Sequence, residues 1–361
     1  MKVITFINPF NFRANLYQRY YIKSLKQALN NNFFVFNFKT KYKILNFFSS
    51  LCDDFWNHSL KADALLKKVF CKDQYYFFSY LPTGIMPYLF LADYSDKKIL
   101  RVIIDSTDSG NIALNNLLNW VDLYFKTNFW PKFRYSNKII PFFNLNPIVL
   151  NNIKKLICLR NINKKYDLCF IVRVWGGRNE IEGIEHCLKL LEEISKIKCK
   201  KFIYAYLVAG NIEKTSKRLD KQKILWSIHP FPLNKLWIIS AQSRLNIIRL
   251  GMHYCIPWRL TDILAMGGCP LLDREPFTVW PEPLIKNKNY LSLDLSIGPE
   301  KPVALEEEYK TIKEKIENFL LCSDLIKKIS KNNSKYFDNY LYPFKVGYYM
   351  IKTIKRRLLD V

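Results

Sequence analysis

The feature that most constrains this 361-residue chain is an alternation that runs, pauses and starts again. Short apolar runs of strand length are followed by segments whose apolar residues recur at helical spacing, the pattern of βα units and parallel sheets. Residues 3–7 predict a first strand, ended by Asn8 and Pro9. Leu16, Tyr20, Leu25 and Leu29 then share a helical face over 16–29. Further strands are expected at 33–38, 75–78, 100–104 and 122–126. The stretch 139–165, with Pro141, Pro147 and several Asn, reads as a link. After it the alternation restarts. Strands are expected at 167–172, 202–208, 224–228, 245–250 and 270–272, with helices at 184–197, 235–241 and 261–266. Charged helical segments follow at 306–321 and 348–359. The predicted class is α/β, with two Rossmann-like parallel-sheet domains facing a cleft. The expected domains are 1–150 and 151–335, both Rossmann-like, with a C-terminal helix, 336–361, packing back on the first. In open α/β sheets the ligand sits outside the carboxyl ends of the strands.

Charge narrows the partners less than its size suggests. There are 56 Lys+Arg against 31 Asp+Glu, a net charge of +25, which attracts polyanions. Abundant Lys, Asn, Ile, Phe and Tyr are also what an AT-rich coding sequence produces, so composition accounts for the excess as well as function does. Nine cysteines without a Cys-x-x-Cys pair, and four histidines, argue against a zinc site and for a reducing compartment. Residues 3–7 are too short for a signal-peptide core, and no run reaches the ~18 apolar residues a membrane helix needs. A cytoplasmic protein is expected, with peripheral contact at the inner, anionic membrane face through the basic and apolar tail Lys352, Lys355, Arg356 and Arg357.

The most informative stretch is 243–273, which reads strand, loop, helix, glycine stop, strand. Arg259 and Asp262 lie in the first turn of the helix, and Gly267-Gly268 ends it before Cys269-Pro270-Leu271-Leu272. A helix N-terminus offers unpaired N–H groups to a phosphate. The segment from Pro257 to Leu272 resembles the donor-site segment of GT-B glycosyltransferases, a pattern of roughly Arg-x-x-Glu-Ala-Leu-Ala-x-Gly before a short apolar strand. The nearest kind is the CgeB-like subset of the group 1 glycosyl transferases. Tyr290-Leu291, Lys335 to Asp338 and Tyr342 agree with the family's later strand and C-terminal helix, so the resemblance spans most of 165–350. It implies that Arg259, Thr261, Asp262, Gly267 and Gly268 lie at the donor, and that no metal or other cofactor is bound. Asp262 stands where the family has Glu. A second acid eight positions earlier, usual in retaining members, is Tyr254 here, which leaves stereochemistry open.

Two more constellations follow strand ends. Arg173, Trp175, Gly176, Gly177 and Arg178 form a glycine turn flanked by guanidinium groups, suited to a diphosphate. Asp105 and Asp108 close a strand in the first half and are candidate general bases, as is His253 beside the donor segment. His229 follows another strand as a donor contact, and Asn8 and Arg13 are acceptor-side candidates. The function expected is metal-independent transfer of a hexose-type sugar from a nucleotide-sugar to a glycan, lipid-linked or protein acceptor. Two alternatives stand beside it: an inactive GT-B-like protein and a basic nucleic-acid-binding module. No nucleic-acid motif is found, and the aromatics lie mostly inside apolar runs, so nucleic acid is not the expected partner.

Overall fold

The computed structural model describes residues 2–7, 12–29, 33–37, 87–93, 99–107, 110–112, 118–119, 121–175, 180–208, 210–251, 254–298 and 301–359. Contacts along the chain divide it into two units, Met1–Leu150 with Tyr340–Val361, and Asn151–Asn339. The expected strand at 75–78 lies outside the described residues, as do Asn8, Asp108, Gly176, Gly177, Arg178 and His253.

The first unit is built on a six-stranded sheet. Its elements are β1 (Lys2–Ile7), α1 (Phe12–Leu29), β2 (Phe33–Asn37), β3 (Pro87–Asp93), β4 (Ile99–Asp105), β5 (Leu123–Lys126) and β6 (Ile139–Pro141), in the order β2-β1-β3-β4-β5-β6. All neighbours run parallel except β3, which is antiparallel to both β1 and β4. β3 escapes a reading by periodicity because its apolar run opens on Pro87, a residue tolerated at the first position of a strand. β6 lies inside the stretch expected to be only a link. The strands β4 and β5 are buried through Val102, Ile103, Ile104, Tyr124 and Phe125. Burying such a side chain contributes roughly 1.5–3 kcal/mol.

The second unit restarts with α2 (Ile153–Cys158) and β7 (Tyr166–Val174), followed by α3 (Glu180–Ser195), β8 (Lys201–Leu207), α4 (Ile212–Lys221), β9 (Leu225–Ser227), α5 (Leu233–Ala241), β10 (Ser243–Ile248), α6 (Trp258–Ala265), β11 (Cys269–Leu272) and β12 (Leu291–Ser292). Its sheet is wholly parallel, in the order β12-β11-β10-β7-β8-β9. The chain builds outward from β7 to β9, then returns and builds outward from β10 to β12. The order therefore reverses between β7 and β10, the place where open α/β sheets bind ligands. Three helices, α7 (Glu306–Lys310), α8 (Ile312–Leu321) and α9 (Ser323–Tyr336), complete the unit. The sequence reading takes 306–321 as one helix; the structure breaks it at Thr311.

The last helix, α10 (Pro343–Leu359), belongs to the first unit and packs along α1. Tyr20 and Tyr21, both buried, anchor this region by donating to the carbonyls of Leu341 (2.6 Å) and Phe143 (2.9 Å). Gly347 lets the two helices meet: a Cβ there would lie 2.1 Å from the carbonyl oxygen of Ser24. No helix among the described residues is long and apolar enough to cross a membrane.

Candidate functional site

The registered pairing of β10 with β7 ends at Asn246 and Cys169, although β7 runs on to Val174. Beyond that pair the two strands part, which opens the sheet at the reversal point. Three guanidinium groups lie at or just past the carboxyl ends of the three adjacent strands β7, β10 and β11. Arg173 is exposed near the end of β7 and lies over the ring of Trp175, 4.9 Å from its centroid. It has no carboxylate partner among the described residues. Trp175 is itself 39% exposed. Arg249, just past β10, donates to the carbonyl of Trp175 at 3.2–3.3 Å and to that of Gly183 at 3.5 Å, and also contacts the Cys187 Sγ. Arg249 thus ties the ends of β7 and β10 to the start of α3.

Arg274, just past β11, donates to Asp273 Oδ2 at 2.7 Å and to the Gly251 carbonyl at 3.1 Å, and lies over the Tyr254 ring. Asp273 is fully buried and also accepts the backbone N–H of Leu250 at 3.0 Å. His186 on α3 reaches Asp273 through Nε2 (3.0 Å) and Tyr309 through Nδ1 (2.7 Å). Since a carboxylate only accepts, Nε2 carries the proton and Nδ1 accepts from the tyrosine hydroxyl. Burial is the larger influence on His186 and holds it below the ordinary imidazole range. Burial works to raise the Asp273 carboxyl, but the Arg274 charge and the His186 hydrogen bond outweigh it, and its pKa falls below the usual value. The network is a rigid buttress beneath the loops at the sheet's carboxyl edge.

The sequence-predicted residues separate into those at this edge and those that fold inward. Arg173 is at the edge. Arg259 is not: its guanidinium turns under the sheet, donating to the Ile171 carbonyl (2.9 Å) and Ser240 Oγ (3.1 Å), with its Nε buried and without a partner. The physical reason is the parting of β7 from β10. It strips the Ile171 carbonyl of a strand partner, and a buried carbonyl needs a donor. Asp262 is 2% exposed and accepts from the Trp237 indole on α5 at 2.9 Å, so its carboxylate faces helix packing. Thr261 is fully buried.

Gly267 and Gly268 form the stop of α6. Gly267 has φ +63°, its N–H bonds the Leu264 carbonyl, and the Gly268 N–H reaches back to Ile263 at 2.8 Å. This is a Schellman motif. It sits at the carbonyl end of the helix, where an anion is disfavoured. His229 is exposed beyond the outermost strand β9, two strands from the reversal point.

In the first unit, Asp105 ends β4 with no exposed surface. It forms an ion pair with the equally buried Lys126 (2.9 Å) and accepts from the Tyr124 hydroxyl (2.6 Å) and from Thr107. A general base must reach the proton it takes. Asp105 is instead a structural carboxylate that joins β4 to β5. Arg13 lies in the first turn of α1. Among the described residues no three His, Cys, Asp or Glu converge as metal ligands.

Arg249 and Arg274 escape the sequence reading. Arg249 falls inside the strand expected at 245–250 and Arg274 two residues past the one expected at 270–272, and only the strand order reveals that these strands neighbour that of Arg173.

These two units define the class: paired Rossmann-like α/β units, the GT-B type of glycosyltransferase fold. The chain is similar over 99% of its length to the crystal structure of a glycosyltransferase from Rickettsia africae ESF-5, 99% of which is covered, with 12% identity and a TM-score of 0.50. S. aureus MnaA, solved with UDP, matches over 99% of this chain and 97% of its own at 8% identity and a TM-score of 0.47. Anabaena HepE, solved with UDP and glucose, matches over 68% of this chain and 66% of its own at 9% identity and a TM-score of 0.45. No protein-family model and no curated protein matches the chain.

Proposed function

We propose that this protein is a glycosyltransferase that binds a nucleotide-sugar on the second unit, at the carboxyl ends of β7, β10 and β11. One observation carries the reading: Arg173, exposed beside the strand-order reversal and stacked on Trp175, presents a guanidinium with no carboxylate partner among the described residues. An unpaired guanidinium is suited to fork onto phosphate oxygens. The likeness in fold to a glycosyltransferase supports the same reading. The segment Gly176-Gly177-Arg178, which precedes α3 in the chain, is assigned on sequence grounds to the diphosphate as well.

In this reading catalysis is chiefly electrostatic. The bond from the anomeric carbon to the diphosphate oxygen breaks, the acceptor hydroxyl oxygen bonds that carbon, and its proton passes to a base. Arginine charges stabilise the departing nucleoside diphosphate. His253 and Asp108 are the base candidates. No metal is required for this scheme, and a glycan, lipid-linked or protein acceptor is compatible with it. A donor-binding protein without transfer activity is the second reading, favoured by Asp262, whose carboxylate is occupied by Trp237.

The test is a thermal-shift series with UDP, GDP, CMP and their sugars on the native protein and Arg173→Ala. A ligand that binds only the folded state raises the melting temperature. One nucleotide should stabilise the native protein and fail to stabilise the variant, whose own melting point stays unchanged because Arg173 is exposed. A shift that survives Arg173→Ala, or no shift with any nucleotide, rejects the site. Turnover of the stabilising sugar nucleotide with acceptor then separates a transferase from an inactive binder.

A further inference from the structure

The helix α10 has two faces of different chemistry. Val346, Gly347, Met350, Ile351 and Ile354 are buried. Phe344, Lys345, Tyr348, Lys352, Lys355 and Arg356 are exposed. At 3.6 residues per turn those six fall within an arc of about 120° and extend over about 18 Å of helix axis. Phe344 and Tyr348 are 46% and 58% exposed and lie one turn apart. The segment Pro343–Leu359 contains five Lys or Arg and no acid.

Helix energetics alone do not produce this face. Cations in the last turn, such as Arg356, are favoured by the helix dipole. Lys345 stands in the first turn, where that dipole opposes it and where no acid is present. Two large aromatic rings beside these charges keep about half of their surface in solvent.

We propose that this face of α10 docks the protein on an anionic lipid surface, with the axis of α10 along the membrane plane. Lys345, Lys352 and Arg356 meet headgroup phosphates, and the rings of Phe344 and Tyr348 enter the headgroup boundary. Charge complementarity selects this occupant: a stripe without acids matches a negative planar surface, and interfacial helices combine basic residues with aromatic anchors. The inference rests on the first unit and is independent of donor binding on the second.

Vesicle co-sedimentation of the full chain, without nucleotide, tests it. The native protein should bind phosphatidylglycerol-containing vesicles and leave pure phosphatidylcholine vesicles largely unbound. The triple variant Lys345→Glu, Lys352→Glu, Arg356→Glu should lose roughly a hundredfold in affinity. Phe344→Ser with Tyr348→Ser should lose roughly tenfold, with the salt dependence retained. All substitutions are on exposed positions, and unchanged thermal melting verifies the fold. Equal binding to neutral vesicles, absence of binding, or full binding by the triple variant overturns the proposal. A single-stranded oligonucleotide whose binding is lost in the triple variant, while vesicle binding persists, reassigns the face to nucleic acid.

Discussion

Charged side chains at the strand ends of this protein divide by what they meet. Asp105 and Lys126 satisfy each other with no exposed surface, whereas Arg173 lies in solvent against Trp175. Removing one member of a buried pair leaves a charge uncompensated, so Asp105→Ala should lower unfolding stability by about 3–5 kcal/mol in denaturant titration. Arg173→Ala should change it by less than about 0.5 kcal/mol. Glu308 provides a pH signature. It accepts from the backbone N–H of Leu305 and from both groups of Ser296. Burial acts to raise its pKa, but these hydrogen bonds and Lys301 prevail and bring it down to about 2 from 4.5. A depressed carboxylate stabilises the fold above the unfolded value and loses that contribution as pH falls from 4.5 towards 2. Glu308→Gln should therefore cost about 1–2 kcal/mol near neutrality, after allowance for solvent screening, and converge with the native protein at pH 2. A constant difference across the acid limb of a pH–stability curve would contradict this. At this scale the sequence points to Arg173 because the residue follows a strand. It does not reveal that Arg259 bonds Ile171 and Ser240 or that Asp262 bonds Trp237, because whether a first-turn side chain meets such partners depends on neighbours distant in the chain.

Elements were largely legible where periodicity is strong. The strands around 100–104, 167–172, 202–208 and 245–250 appear within two residues of expectation, since each is an apolar run stopped by polar or turn residues. The helix α1 begins four residues earlier than its apolar stripe suggests. The polar α4 carries too few apolar positions to reveal itself, and the short β12 is marked only by the resemblance at Tyr290-Leu291, not by periodicity. The α1–α10 crossing shows what an element cannot announce. Gly347 is unfavourable in a helix interior by about 1 kcal/mol relative to alanine. Its reason is across the interface, where Ser24 O and Ala28 Cβ would lie 2.1 and 2.9 Å from a new Cβ. Gly347→Ala should thus destabilise by about 1–3 kcal/mol despite its better propensity, because the obstacle is backbone and α10 must move off α1. A higher melting temperature for this variant would show that the helices separate without cost.

At the scale of the whole molecule, two units with separate sheets respond separately to a ligand held by one of them. A nucleotide at a hundred times its Kd adds about 2.7 kcal/mol to the folded state it binds. Hydrogen exchange should show that protection in β7, β10 and α3, with the amides of α1 and α10 unchanged; protection confined to the first unit would move the donor site there. The sequence by itself determined the α/β class and the repeated alternation, because side-chain period and chain punctuation are local properties. It also marked the strand ends at which cations cluster. The tertiary structure decided the rest. Strand order makes β7, β10 and β11 neighbours, the parting of β7 from β10 draws Arg259 inward, and packing occupies Asp105 and Asp262 while leaving Arg173 unpaired among the described residues. Those outcomes depend on contacts between residues tens of positions apart, and such contacts leave no period in the chain.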